Sequence, residues 1–221
     1  MTKQTFARAL IFTGGALDDS AISVIRPNDY LVGADRGALF LAKRGYPPHL
    51  ALGDFDSVGA EELELIRDAA GETREFDAID KDWTDTELAL RETIKRGFRD
   101  VVIIGGLGTR FDHSLANVHL LNTAAACGCN AKLTDANNEI RLLEAETGGV
   151  ERLEADDRYP YVSLLPLTPV VTGITLDGFA YPLDNATLAI GMSLGISNKL
   201  AEDNGTIRIA SGKLLIIRSR D

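Results

Sequence analysis

Short apolar runs that end in glycine or aspartate alternate with helix-like stretches through the first part of the chain. The four runs lie at residues 9–12, 30–34, 50–53 and 101–104. The helix-like stretches lie at residues 37–44, 60–70, 85–96 and 112–126. Continuous apolar runs of this length predict strands buried on both faces. Their alternation with helices predicts a parallel sheet covered by helices on both sides. We therefore expect a Rossmann-like α/β domain over residues 1–145.

The last of these helix-like stretches carries apolar residues at three- and four-residue steps. They are Leu115, Val118, Leu121 and Ala125. Such spacing places side chains along one side of a helix and predicts the face that packs against the sheet.

The pattern changes after Ala145, where Glu146, Thr147, Gly148 and Gly149 are typical of a linker. Short β-like segments follow at residues 161–165, 173–176, 186–190, 206–209 and 213–217. Turn residues separate them at roughly ten-residue spacing, which predicts an antiparallel sandwich or barrel. We expect a small all-β sandwich domain over residues 150–221.

Composition narrows the classes of function. Hydrophobic residues make up 45% of the 221 residues, which is enough for a packed core at this length. The formal net charge is -10 and no basic run is present, so we expect no nucleic-acid partner. The acidity indicates either a site that collects cations or a charge that keeps the protein in solution.

The cysteines and the hydropathy pattern bear on the compartment. Cys127 and Cys129 are separated by one residue and no other Cys/His set accompanies them, which argues against a zinc site. The first ten residues lack the apolar stretch of a signal peptide. The sequence contains no run of about 18 apolar residues, so we expect no membrane span. We expect a protein of the reducing cytoplasm.

Acidic residues follow several of the predicted strands. They are Asp35, Asp54, Asp56, Asp80, Asp82, Asp85 and Asp112. Ligands of open parallel sheets bind outside the carboxyl ends of the strands, and carboxylates crowded there repel one another unless cations neutralise them. Mg²⁺ prefers carboxylate and phosphate oxygens, and glycine-rich turns let the backbone approach phosphates. The pattern therefore predicts a metal–nucleotide site.

Structural roles for the same residues are also possible. Ser57 could cap the helix that begins near Ala60. Thr84 and Glu87 have the Thr-x-x-Glu spacing of a capping box. Arg110 and Asp112 could form a local ion pair.

Six segments in this order resemble the motifs of the thiamine diphosphokinases. They are residues 35–38, 53–57, 80–85, 105–113, 176–183 and 197–198. The resemblance covers nearly the whole chain. Arg36 and Thr109 depart from the family pattern, because each stands where glycine is usual.

The resemblance implies an α/β domain joined to a β domain, and a homodimer whose active sites are made from both subunits. ATP and thiamine are the implied substrates, with Mg²⁺. The implied metal and catalytic residues are Asp54, Asp56 and Asp82, with Asp112 and Arg110 also catalytic. The implied ATP and phosphate contacts are Asp35, Lys81, Asp85 and Arg110. The implied thiamine contacts are Tyr181, Ser197 and Asn198.

The implied reaction is attack by the thiamine hydroxyl on the β-phosphorus of ATP, with AMP leaving. Asp82 and Asp112 are both candidates for the group that accepts the hydroxyl proton. Two other functions remain as alternatives. Residues 54–58 match the Asp-x-Asp nucleophile pattern of haloacid-dehalogenase-like phosphatases, although that motif usually follows the first strand. A non-catalytic nucleotide or thiamine sensor of the same fold is the second.

Overall fold

The computed structural model describes residues 6–76, 82–108 and 110–221. It divides the chain into two compact units, Met1–Ala136 and Asn137–Asp221. Within the described residues, no helix has both the length and the hydropathy needed to cross a bilayer.

The first unit is built on a parallel sheet. Its described strands are β1 (Arg8–Phe12), β2 (Asp29–Ala34), β3 (Leu50–Gly53), β4 (Thr73–Glu75), β5 (Asp100–Ile104) and β6 (Asn130–Thr134). Its described helices are α1 (Arg36–Lys43), α2 (Ala60–Ala69), α3 (Asp85–Lys95) and α4 (Phe111–Ala126). The strand order is β4-β3-β2-β1-β5-β6, and each neighbouring pair is parallel. The predicted parallel sheet is confirmed.

Burial explains why these runs form central strands. Leu10 and Phe12 of β1 share a core cluster with Phe40 and Leu41 of α1, and the alternate residue Ile11 is also fully buried. Because successive side chains of a strand point to opposite faces, both faces of the sheet are covered. The sequence did not predict β4 or β6, since Thr73–Glu75 has no apolar residue and Asn130–Thr134 has only two.

The predicted buried face of α4 is wrong in part. Leu115 is 43% exposed, whereas Ser114 and Asn117 are buried beside Leu121. The prediction followed the apolar residues alone. The polar side chains are buried because they hydrogen-bond to the loop after β5, as described below.

The first residues of α2 and α3 show which of the two suggested helix caps, Ser57 and Thr84, is present. Thr84 caps α3, because its hydroxyl accepts a hydrogen bond from the backbone N–H of Glu87 at 3.3 Å. Ser57 does not cap α2. The residue before that helix is Gly59, whose backbone N–H donates to Glu62 at 3.2 Å. The Ser57 hydroxyl instead donates a hydrogen bond to Asp35.

The second unit contains two antiparallel arrays of strands. Its described strands are β7 (Asn138–Glu144), β8 (Val150–Glu154), β9 (Tyr161–Pro166), β10 (Val170–Asp177), β11 (Ala186–Ala189), β12 (Asn204–Arg208) and β13 (Lys213–Ser219). One array has the order β7-β13-β9 and the other β11-β10-β12-β8. Each of the five predicted β-segments overlaps a strand.

The two arrays share one apolar core. Leu143 and Leu214 of the first array pack in the same cluster as Leu153, Ile174 and Ile207 of the second. Face-to-face packing of separate sheets is the sandwich arrangement. The four residues predicted as a linker lie in a hydrogen-bonded turn between β7 and β8, in which the N–H of Gly149 donates to Glu144 at 3.1 Å.

Candidate active site

The carboxyl ends of β1, β2, β3 and β5 meet at one edge of the parallel sheet. Asp35 follows β2 directly, and Asp54 and Asp56 follow β3. One carboxylate oxygen from each of the three lies within 4.8 Å of the others. The prediction that the sheet edge collects carboxylates is confirmed for these three residues. Like charges this close repel one another unless a cation lies between them.

Asp35 has an unusual backbone and an unusual carboxylate. Its φ of 50° and ψ of -119° form a conformation that residues with a side chain rarely adopt. The Ser57 hydroxyl donates to Oδ2 at 2.6 Å, while Oδ1 is buried with no hydrogen-bond partner among the described residues. A buried acceptor without a donor is costly, so a bound cation at Oδ1 would relieve this cost.

Burial is the main cause that raises the pKa of the Asp35 carboxyl above the ordinary aspartate range. The Ser57 hydroxyl opposes this rise, and the charges of Asp85 and Asp54 add to it. The ionised Asp35 carboxylate is therefore unfavourable in the fold unless a partner neutralises it. The residues present fit a hard divalent cation, because they offer three carboxylate oxygens close together and one of these acceptors is unfilled.

Phe55 anchors the loop that carries the other two carboxylates. Its ring is buried against Leu39 and Ile66, and its φ is 53°. The backbone N–H of Asp56 donates to Asp54 Oδ1 at 3.3 Å, which tightens the turn. Because the ring between them is held in the core, Asp54 and Asp56 are kept near the surface at the sheet edge.

A cavity of about 310 Å³ opens beside Asp35. Its walls are the turns after β1 and β5, the start of α3 at residues 84–86, and the first two turns of α4. In the strand order, β2 lies on one side of β1 and β5 on the other. The cavity therefore lies where the order reverses, which is the usual ligand position in open α/β sheets.

The two glycine-rich turns touch each other through backbone. A side chain on Gly15 would overlap the carbonyl oxygen of Gly105, so only glycine fits there. The buried Thr13 hydroxyl donates to the same carbonyl at 2.6 Å. Asn117 Nδ2 donates to the carbonyl of Gly106 at 2.7 Å. These bonds hold the cavity wall in place.

Sequence reasoning missed Thr13, Ser114 and Asn117. The Ser114 hydroxyl accepts from the backbone N–H of Gly108 at 3.0 Å, so α4 clasps the loop after β5 at two points. A signal was present, since Ser114 and Asn117 are three residues apart and so lie on the same side of α4.

Arg110 and Asp112 form the ion pair that was one of the alternatives. Their shortest N–O distance is 2.5 Å, and both side chains are exposed. The Arg110 guanidinium lowers the pKa of the Asp112 carboxyl. Arg110 and His113 also line the cavity.

The remaining predicted residues of this unit fall into three groups. Asp85 lines the cavity. Asp82 is exposed and lies outside the three-carboxylate cluster. Lys81 and Asp80 lie outside the described residues, as does the departure at Thr109. Arg36, the other departure, is the exposed first residue of α1.

Tyr181, Ser197 and Asn198 come together in the second unit. Asn198 Nδ2 donates to the Tyr181 carbonyl at 2.7 Å, and Asn198 Oδ1 accepts from the Tyr181 N–H at 3.1 Å. Asn198 is only 7% exposed, whereas Tyr181 is 69% exposed. Tyr181 therefore lies outside the β core, whereas the nearby Phe179 is buried in it. Asn198 holds the backbone that presents the Tyr181 ring.

Asn198→Ala is expected to lower the free energy of unfolding by about 1–3 kcal/mol, because two polar groups of the Tyr181 backbone lose their partner. Urea unfolding followed by circular dichroism measures this. The control Ser197→Ala changes an exposed neighbour and is expected to stay within about 0.5 kcal/mol of the parent. Equal stability of the parent and Asn198→Ala would show that the backbone of Tyr181 does not depend on this amide.

Comparisons with known proteins give the family. Residues 22–133 match the family model "Thiamin pyrophosphokinase, catalytic domain", and residues 151–214 match "Thiamin pyrophosphokinase, vitamin B1 binding domain". The chain is 35% identical over 190 residues to a thiamine pyrophosphokinase of Bacillus subtilis, which covers 86% of this chain and 87% of the relative.

Solved structures agree with the sequence comparison. The crystal structure of the Bacillus subtilis enzyme has a TM-score of 0.88 and 32% identity, covering 97% of this chain and 99% of that one. The structure from Geobacillus thermodenitrificans has a TM-score of 0.85 and 33% identity, covering 96% and 97%. Two family models in the order of the two units, a relative above 30% identity and full-length structural agreement lead to one conclusion: the chain belongs to the thiamine pyrophosphokinase family.

Proposed function

We infer that the chain is a thiamine diphosphokinase, which transfers a diphosphate group from ATP to the hydroxyl of thiamine and releases AMP. Family membership supports the activity. The observation that carries the assignment of the site is the cluster of Asp35, Asp54 and Asp56 beside a glycine-walled cavity. Neither the phosphatase nor the sensor finds support in the comparisons.

We propose that the phosphates of ATP lie in the cavity at the ends of β1 and β5, in a Rossmann-like position. Glycine turns let the backbone approach the phosphates closely. Arg110 lies on the rim, and its planar fork suits two phosphate oxygens at once. Lys81 and Asp85 are further proposed contacts, on the grounds of the family motif.

Asp35, Asp54 and Asp56 are the residues that would hold Mg²⁺. The predicted metal set contained Asp82 in place of Asp35. The proposal now includes Asp35 because its buried Oδ1 lacks a partner among the described residues, and Asp82 stays a proposed catalytic residue. Bound there, the ion supplies positive charge against the phosphate oxygens.

The chemical step is direct displacement at the β-phosphorus. The thiamine hydroxyl oxygen forms a bond to that phosphorus, the bond to the oxygen on the α-phosphate breaks, and AMP leaves with that oxygen. A carboxylate accepts the hydroxyl proton. Asp112 is the weaker candidate while Arg110 holds its pKa low, because a depressed pKa makes a poorer base. Asp82 is the other candidate.

One assay tests the proposed function against its alternatives. Purified protein is incubated with ATP, Mg²⁺ and thiamine, and the nucleotides are separated by chromatography. We expect AMP and thiamine diphosphate in one-to-one ratio. ADP as the main product would refute attack at the β-phosphorus, free phosphate without thiamine would indicate a phosphatase, and no turnover would indicate a sensor.

Tyr181 is proposed to stack on thiamine, because an exposed aromatic ring attracts a flat cation by about 0.5–2 kcal/mol. Tyr181→Ala is expected to raise the thiamine KM several-fold and leave the ATP KM unchanged. Tyr181→Phe keeps the ring and is the matched control. Initial rates at varied thiamine decide the matter, and an unchanged thiamine KM in Tyr181→Ala would remove this residue from the substrate site.

We also propose a homodimer with active sites shared between subunits. Four alternate residues after β11 are exposed and apolar, namely Ile190, Met192, Leu194 and Ile196. Several exposed apolar side chains in one short segment are typical of a protein interface. Leu194→Asp is expected to shift the protein from dimer to monomer in sedimentation velocity and to reduce turnover. Leu65→Asp is the control, as an exposed leucine on α2 of the first unit. A monomeric parent would contradict the proposal.

The reducing cytoplasm remains the proposed location. Both cysteines are free thiols, and burial raises the pKa of the Cys129 thiol to about 11. A thiol with a raised pKa is a poor nucleophile at neutral pH, so Cys129 gives no sign of redox chemistry.

A further inference from the structure

A second cavity lies entirely within the second unit and shares no residue with the acidic cluster. Its volume is about 750 Å³, and it opens between β7, β8, β12 and β13. Three arginines line it, Arg141, Arg152 and Arg218, together with the carboxylates of Glu154 and Asp156. In a chain of net charge -10, three guanidiniums at one cavity are an exception to the overall balance.

Arg218 is the residue that makes this cavity unusual. It is 7% exposed, and its Nη2 donates to the carbonyl of Glu154 at 2.9 Å. Its Nε is buried and has no hydrogen-bond partner in the described part of the chain. A buried guanidinium is rarely left without an acceptor for each inward N–H group, because an unfilled donor costs free energy. Arg218 therefore brings to the cavity wall an N–H group whose hydrogen-bonding capacity is unfilled among the described residues.

The other charges of the cavity are largely paired off. Arg141 contacts Glu139 at 2.8 Å and Glu151 at 2.9 Å. Asp156 is held by Arg158 at 2.7 Å.

Within the described residues, neither Arg152 nor Arg218 has a carboxylate at ion-pair distance. Two unpaired guanidiniums therefore face one exposed acid, Glu154. The residues that line the cavity carry three positive and two negative charges, and Arg218 adds a buried donor.

We propose that this cavity binds a small phosphate-bearing anion, with Arg218 as the buried donor and Arg152 as the second cation. A phosphate group offers several acceptor oxygens to guanidinium donors. Thr206 also lines the cavity and adds a hydroxyl donor. The volume is in the range of small-molecule sites, so the ligand has room for more than one phosphate group. Inorganic phosphate and AMP share the required chemistry.

Calorimetric titration of the full chain tests this, with inorganic phosphate and AMP as separate probes and acetate as a charge control. EDTA is present, and the Arg110→Gln variant is titrated in parallel to remove a phosphate contact at the other cavity. We expect saturable phosphate binding with a Kd of about 1 mM or tighter in both proteins. Tighter binding of AMP would assign the site to a nucleotide, and equal binding would assign it to the phosphate group alone.

A matched pair of variants on β8 tests the charges. Arg152 and Glu154 are both exposed on the same strand. Arg152→Gln is expected to weaken phosphate binding several-fold, and Glu154→Gln to strengthen it. Arg218→Lys keeps the charge and loses the Nε donor, and is expected to weaken binding about tenfold. The Nε–Hε signal of Arg218 in a ¹H–¹⁵N spectrum is expected to shift on adding phosphate, and the Lys variant assigns that signal.

Several results would overturn the proposal. They are no saturable binding of phosphate or AMP at millimolar concentration, acetate binding as tightly as phosphate, and phosphate affinity unchanged in both Arg152→Gln and Glu154→Gln. The two β8 variants keep the test valid if Arg218→Lys does not fold.

Discussion

Asp35→Asn is expected to lower kcat/KM for thiamine diphosphate formation by about 10²–10³-fold, and at the same time to raise the melting temperature of the metal-free protein. Activity falls while stability rises, because the Asp35 carboxylate is needed for the reaction but lowers the stability of the metal-free fold. Asp35 lies within 4.8 Å of Asp54 and Asp56, and its Oδ1 is buried without a partner among the described residues. An amide removes the charge, so it removes both the repulsion and the metal ligand.

The stability gain of Asp35→Asn is expected to depend on pH. Burial raises the pKa of Asp35 in the folded chain, so the folded state holds its proton more tightly than the unfolded state does. Below about pH 4 the carboxyl is protonated in both states and costs nothing. As the pH rises through the raised pKa, ionisation destabilises the parent but not the variant. The difference in Tm, measured in EDTA, therefore widens with rising pH and then levels off.

Added Mg²⁺ is expected to stabilise the parent and to have little effect on Asp35→Asn. The control is Asp68→Asn, which changes an exposed acid on α2 outside the cluster. It is expected to leave turnover and the response to Mg²⁺ unchanged. Near-parental turnover in Asp35→Asn, or a Tm below that of the parent at neutral pH, would contradict the assignment of Asp35 to the metal site.

Arg110→Gln is expected to lower kcat by about 10²-fold or more, because an arginine on the transferred phosphates stabilises charge that develops in the transition state. Arg110 is free to do this only if it leaves Asp112, to which it is paired at 2.5 Å. Both side chains are exposed, so breaking the pair costs little. Arg110→Lys keeps the charge but loses the planar fork, and is expected to be intermediate.

The pair itself is tested by Asp112→Asn and by the double variant. If Asp112 only holds Arg110 in an ion pair before ATP binds, Asp112→Asn is expected to keep most of kcat and to lower the ATP KM. If Asp112 is the proton acceptor, Asp112→Asn loses kcat even with Arg110 intact. Arg208→Gln, on an exposed arginine of β12, is the control. Unchanged kcat and ATP KM in Arg110→Gln would remove this arginine from the phosphate site.

The local pattern of the chain was sufficient to predict the architecture. The runs at 9–12, 30–34, 50–53 and 101–104 became β1, β2, β3 and β5 within one residue at either end. This works because a short continuous apolar run bounded by glycine or aspartate is typical of a strand that is buried on both faces. The same reasoning missed β4 and β6, whose few apolar residues carry no such pattern and whose strand form depends on pairing with a neighbour.

Contacts between residues far apart in the sequence determine the geometry of the site, and the hydrophobic periodicity of the sequence does not predict such contacts. Ser57 looked like a helix cap, yet its hydroxyl donates to Asp35, 22 residues earlier. Asn198 remains a predicted thiamine contact, and nothing in the sequence indicated that both ends of its amide also hold Tyr181, 17 residues earlier.

The sequence by itself determined which residue types stand at the strand ends, because the apolar runs and the aspartates after them are properties of neighbouring positions. Only the tertiary structure decided which of those carboxylates lie close enough to share a cation, because that depends on strand order. β2 and β3 are adjacent and parallel, so Asp35 and Asp54, which follow them, lie side by side at the same edge of the sheet. The exposed Asp82 lies outside that cluster. Tertiary structure alone also buried Arg218 at its cavity, since nothing local marks that arginine among its neighbours.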